Sequence, residues 1–181
     1  MALKKIYLFV EGNDDALFFS TLIVPLLKNQ YDDVEILQFA QMKKIRSIKF
    51  VESINMLGFD YLVFADMDEE ATLAQKKRKL QMRFENVPFH KMIIVVAEIE
   101  SWYIAGLKKE KAIEWKIEEI EQTELVTKEI FNQLYFKRFN SRLDFMQEIL
   151  KEYDYELAKE RNASFNYFFK TFIEKAAVKR E

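Results

Sequence analysis

The sequence predicts an α/β fold: a mainly parallel four-stranded sheet followed by a helical extension. Three observations predict it. Over the first 107 residues, short apolar runs alternate four times with segments of helical length. The runs lack polar alternation, as strands covered on both faces do. Gly (3) and Pro (2) are too scarce for a hairpin-rich fold. Such alternation makes the strands parallel and the crossovers right-handed.

The elements follow in order. "KIYLFVE" is short, apolar and rich in β-formers, a buried strand. "DDALFFSTLIVPLLKN" has helical length, with Asn13 and Asp14 as N-cap types and Pro25 placed to kink or split the helix. "DVEILQFA" is a second strand. "IRSIKFVESINMLG" spaces Ile45, Ile48, Val51 and Ile54 by three, and Gly58 stops the helix. "DYLVFADMD" is a third strand, and "EEATLAQKKRKLQMRF" a strongly basic third helix. "KMIIVVAEIE" is a fourth strand, and a helix begins at Ser101 in "SWYIAGL". From residue 108 the four segments "KKEKAIEWKIEEIEQ", "TKEIFNQLYFKRF", "RLDFMQEILKEYDYELAKE" and "SFNYFFKTFIEKAAVKRE" are amphipathic and helical. The expected organisation is an α/β domain over 1–107 and a helical extension packed on it over 108–181.

Composition narrows the function. The net charge of −2 argues against coating nucleic acid by bulk charge, while leaving room for a local basic patch or a bridging metal. There is no cysteine, hence no disulfide or thiolate metal site. No stretch approaches the roughly 18 to 20 apolar residues of a membrane span, and the first apolar run is too short for a signal peptide. The expected location is the cytoplasm.

The apolar runs end on acids. The first ends at Glu11, the third at Asp66 with Asp68 two residues on, and the fourth at Glu98 and Glu100. In a parallel sheet all strand C-termini share one edge, where ligands bind. Clustered carboxylates raise one another's pKa unless a cation joins them. Mg²⁺ takes oxygen ligands and needs only one or two carboxylates plus phosphate. Extended chain gives Asp66 and Asp68 the same parity, as it does Glu98 and Glu100. At any single junction helix capping is a sufficient reason for an acid, and it is the reading of Asp14 and Asp15. Acids at several strand ends of one alternating domain favour the metal.

Two basic groups sit near these acids. Lys76, Lys77, Arg78, Lys79 and Arg83 follow the Asp-x-Asp turn, and Lys43, Lys44 and Arg46 follow the second strand. Each group is either a phosphate-contacting face or a solvated helix face. His90, the one histidine, precedes the fourth strand and is structural or solvent-facing, so no His-based triad can be assembled. Trp102 and Tyr103 are packing residues, with base stacking the alternative. Phe165, Phe168, Phe169 and Phe172 have helical core spacing, and Ser164 is an N-cap type.

The glutamate of "FVEGNDD" followed about 55 residues later by the Asp-x-Asp of "VFADMDEE" resembles the Toprim domain of topoisomerases, primases and nucleases. "VVAEIESWYIAG" is similar to the fourth strand of Toprim-like nucleases of the overcoming-lysogenization-defect (OLD) type and their stand-alone relatives, and "RNASFNYFF" resembles a segment near their end. The resemblance covers residues 4 to 107 well and the tail weakly. It implies a three-layer Toprim-like fold, with Glu11 as catalytic general base or acid, or as a metal ligand. It implies Asp66 and Asp68 as the Mg²⁺ (or Mn²⁺) pair, Glu70 as a further ligand, and Glu98 and Glu100 holding a second metal. Two metals about 4 Å apart can stabilise both the attacking and the leaving oxygen of a phosphodiester. The implied activity is phosphodiester chemistry on nucleic acid, DNA in preference to RNA, and most simply a nuclease. No topoisomerase tyrosine motif and no GxxxxGK[ST] loop occurs in the chain. The alternative is therefore a non-catalytic metal- or partner-binding module working with a separate ATPase in phage defence or DNA repair.

Overall fold

In the computed structural model, which describes residues 3–135 and 138–174, the chain divides into two compact units, Met1–Ile94 and Val95–Glu181. The first holds a four-stranded sheet, β1 (Lys5–Val10), β2 (Asp33–Gln38), β3 (Asp60–Asp66) and β4 (Met92–Val95), in the order β2-β1-β3-β4. β1 pairs parallel with both β2 and β3, Phe9 lying opposite Leu37 on one side and Val63 on the other.

Helices cover both faces, as the unbroken apolar strands require. On one face Phe9, Tyr61, Val63, Ala65, Met92 and Ile94 pack with Val51 and Ile54 of α3 (Lys44–Met56) and with Leu80 and Phe84 of α4 (Leu73–Phe84). Phe9 and Phe84 meet edge to face at 5.4 Å. On the other face α1 (Asn13–Phe18) runs into a π-helical turn (Phe19–Ile23) and then α2 (Val24–Leu27), and the Phe19 ring packs tilted against Phe64 of β3 with centroids 4.3 Å apart. The wide turn falls just before Pro25, which sits in the first turn of α2, where its missing N–H costs nothing. The sequence-expected interruption at Pro25 is thus a π turn within a continuous helical run. Gly58 ends α3 at φ 68°, a left-handed stop that glycine adopts without strain. Ile45, expected on the buried stripe of α3, is exposed, because that stripe begins only at Ser47 and Ile48.

Three boundaries differ from expectation. β3 ends at Asp66 rather than Asp68, and Asp68 takes a left-handed φ of 52°. The shared parity of Asp66 and Asp68 therefore does not hold. α4 begins at Leu73, not Glu69, because the Thr72 hydroxyl caps it by accepting the Gln75 N–H at 3.2 Å. β4 ends at Val95, and Glu98 is already the N-cap of α5 (Ile99–Ala105), with Glu100 in its first turn. Neither glutamate is borne by a strand.

The second unit is helical: α5, α6 (Lys109–Glu114), α7 (Lys128–Tyr135), α8 (Arg142–Lys151), α9 (Tyr155–Arg161) and α10 (Ala163–Phe168), the last running into a π-helical turn to Glu174. Residues 136–137 and 175–181, which the sequence also assigns to helices, lie outside the described residues. α5 belongs with these helices, so position 107 falls inside the second unit. Trp102 is the reason, being fully buried against Phe165 and Phe168. The N-cap of α10 is Asn162, whose side chain accepts the Phe165 N–H at 3.0 Å. Ser164, the sequence-expected cap, instead sits buried inside the helix and receives the Trp102 indole N–H at 2.8 Å.

Gly106 is fixed by packing rather than by φ. A Cβ there would stand 2.3 Å from Tyr153 Cε2, and the Tyr153 hydroxyl is held by donating to the Trp102 carbonyl at 2.7 Å. Gly106→Ala is expected to destabilise the protein by about 1–3 kcal/mol through overpacking. Denaturant melts of the two proteins measure it, and an unchanged midpoint would refute the close contact.

Candidate functional site

The strand order fixes where a ligand would bind. β1 and β3 are neighbours, yet the helices that follow them lie on opposite faces of the sheet: the run from α1 packs over Phe64, whereas α4 packs over Phe9. The connections diverge between these two strands, which makes their carboxyl ends the switch point of the sheet. Glu11 is the first residue after β1, and Asp66 is the last of β3. The backbone of Asp66 also hydrogen-bonds the Glu11 carboxylate.

Burial pushes the Glu11 pKa upward, and the neighbouring Asp68 charge adds to this. The Lys76 ammonium and the Asp66 backbone oppose the rise. Lys76 is the notable cation here. It is buried in α4, forms an ion pair with Asp68, and places Nζ 4.0 Å from Glu11 Oε1. The turn at Asp68 aims its carboxylate at this lysine. Glu70 is tied to Lys79 at 2.5 Å, and that hydrogen bond holds its carboxyl below the usual range.

The basic residues part company. Lys76 faces the acids, Lys77 donates to the Phe89 carbonyl at 2.9 Å, Lys79 engages Glu70, and Arg78 is exposed. Arg83 donates to the carbonyls of Phe39 and Met42, the latter at 2.6 Å, and so pins the β2–α3 connection. That connection lies beside the end of β1, since Ala40 N–H donates to the Glu11 carbonyl at 3.2 Å. Lys43, Lys44 and Arg46 follow it and are exposed, with Lys44 bridging to Glu85 at 3.1 Å.

Asp15 is buried, and its carboxylate accepts the Gly12 N–H at 3.1 Å, which is the helix-start role expected of it. His90 is exposed. In the second unit, Glu98 accepts the backbone N–H of Lys128 at the start of α7. Glu100 is buried in an ion pair with Arg142.

The structure therefore brings Glu11, Asp66 and Asp68 together in the first unit, with Glu70 beyond them on its own lysine. Among the described residues, no three His, Cys, Asp or Glu side chains are grouped closely enough to cage a metal unaided. The oxygen donors at the strand ends still suit Mg²⁺, which completes its shell with water and phosphate. Lys76, read from the sequence as part of a phosphate-contacting or solvated helix face, is instead buried with its ammonium against the acids. Its signal was the spacing of four from Lys76 to Leu80 to Phe84, which puts the lysine on the buried face of α4.

No protein-family model matches the chain, and no curated protein matches its sequence. Among solved structures, the C-terminal region of the Burkholderia pseudomallei OLD protein is similar, with a TM-score of 0.55 at 14% identity. The match covers 97% of this chain and 100% of that one. The fold is thus the one that the resemblance implied, a Toprim-like α/β unit followed by helices. Among the described residues, no helix is long and apolar enough to cross a membrane.

Proposed function

We propose that the protein carries out divalent-metal-dependent phosphodiester chemistry on nucleic acid, with DNA favoured over RNA and hydrolysis as the reaction. The observation that carries this reading is the pairing of Glu11 and Asp66 at the switch point of a Toprim-like sheet, with Asp68 turned beside them. Asp66 and Asp68 would hold Mg²⁺ or Mn²⁺ together with water and substrate phosphate, with Glu11 beside them. Such an ion supplies positive charge to the phosphoryl oxygens and acidifies a bound water.

The chain's own groups divide the remaining work. Burial gives the Glu11 carboxylate a raised proton affinity, which suits it to take a proton from an attacking water. Asp66, at the rigid end of a central strand, fixes the position of the site. The exposed Lys43, Lys44 and Arg46 stand where they can meet backbone phosphates, and Arg83 holds their connection in place. Glu98 and Glu100 would contribute a second cation only by giving up Lys128 N–H and Arg142.

A screen of supercoiled, linear and single-stranded DNA and of RNA, with Mg²⁺, Mn²⁺ and EDTA, tests this. Cleavage is expected with either metal and is lost with EDTA. Metal binding with no cleavage of any substrate would replace the nuclease reading with a metal-binding module that needs a separate ATPase partner.

A further inference from the structure

We propose that Lys76 is a built-in stand-in for the metal: its ammonium neutralises the carboxylate site before a divalent cation enters, and the cation must displace it. This inference rests on the metal reading of the site and adds how the site is regulated. Three observations carry it. Lys76 is buried to within 3% of complete exclusion from solvent, which is exceptional for a lysine. Its Nζ is turned toward the acids, paired with Asp68 and 4.0 Å from Glu11. Asp68 reaches it from a left-handed backbone position just outside β3, in the turn ahead of the Thr72 cap, so the partner carboxylate sits on a segment separate from the sheet.

The physical consequence is competition. A carboxylate that gives its lone pairs to a metal weakens its bond to an ammonium, and two cations sharing a partly buried site repel each other. Lys76 therefore offsets the negative charge of the acids without metal, and lowers the affinity of the site for metal. By linkage, the metal loosens Lys76 as much as Lys76 weakens the metal. Lys76 acts through Asp68 and Glu11 and is a positioning residue.

Two measurements on the full chain test this. Calorimetric titration with Mn²⁺ compares the wild type with Lys76→Met, which keeps the length of the buried side chain and removes its charge. The variant is expected to bind Mn²⁺ at least about fivefold more tightly, the lower end of ordinary coupling between ligands. In the wild type, acylation of Lys76 by an amine-reactive ester, followed by mass spectrometry of its peptide, is expected to rise when Mn²⁺ is added. Equal or weaker Mn²⁺ binding by Lys76→Met, with the wild type binding, would overturn the stand-in role and leave the metal site standing. The same holds for acylation that Mn²⁺ does not change. Failure of both proteins to bind Mn²⁺ would overturn the metal reading and this inference with it. Should Lys76→Met fail to fold, Lys76→Gln replaces it, and the acylation measurement stands on the wild type alone.

Discussion

Asp66→Asn is expected to reduce metal-dependent cleavage of nucleic acid by about 10²–10⁴-fold, the range for loss of a positioned catalytic group, and to leave the melting temperature close to that of the wild type. The substitution replaces one oxygen donor with an amide at the end of a central strand and changes little volume. Glu11→Gln and Asp68→Asn are expected to lose activity on the same scale, because each removes a charge from the same switch point. The stability signs differ and serve as a check. Burial raises the Glu11 pKa in the folded state, so ionising it works against folding. Its stabilising contribution is complete below the ordinary glutamate range and is lost as pH rises through the raised value. Glu11→Gln removes that decline and is expected to melt no lower than wild type at neutral pH. Asp68→Asn instead removes the nearer of the two carboxylates that face the buried Lys76 ammonium and is expected to melt lower. Full activity in all three variants would sink the nuclease reading.

Much of the first unit was legible because its signals are local. Apolar runs bounded by charges marked β1, β2 and β3, and Gly58 marked the end of α3. The acids at the ends of β1 and β3 followed from the alternation, since parallel strands place their carboxyl ends on one edge. The strand ends themselves were less legible. "VVAEIE" continues the β-like pattern of β4, but a helix that buries Trp102 and Tyr103 begins at Ile99 and takes over Glu98 and Glu100. The gain from α5 packing is tertiary and leaves no mark in a short apolar run. Lys76 was obscured for the opposite reason. In "QKKRKLQMR" the charge run looks uniform, and only the four-residue spacing to Leu80 and Phe84 separates the lysine that turns inward from those that do not. Ser164 shows the same limit: its hydroxyl suits a helix cap, yet Asn162 two residues earlier makes the cap bond, and Ser164 is left for the indole.

Trp102→Ala is expected to destabilise the protein by about 3–5 kcal/mol, the range for truncating a buried aromatic. Trp102 is fully buried, stacks on Phe168 with ring centroids 5.5 Å apart, and meets Phe165 edge-on at 5.2 Å. Its indole N–H donates to Ser164 Oγ, which also accepts the Val96 N–H at 3.2 Å and donates to Asn162 Oδ1 at 2.7 Å. Asn162 caps α10, so removing the indole opens a cavity and slackens the polar chain that fixes this helix. Trp102→Phe keeps a ring between Phe165 and Phe168 and loses the donor, and is expected to cost markedly less. Chemical denaturation of the three proteins orders them. The alternative role for Trp102, a platform on which a base stacks, needs an exposed ring face. That role would give the reverse pattern: nucleic-acid binding lost on Trp102→Ala, with stability unchanged. The complete burial of the ring, with Phe168 stacked on it and Phe165 edge-on, decides for packing.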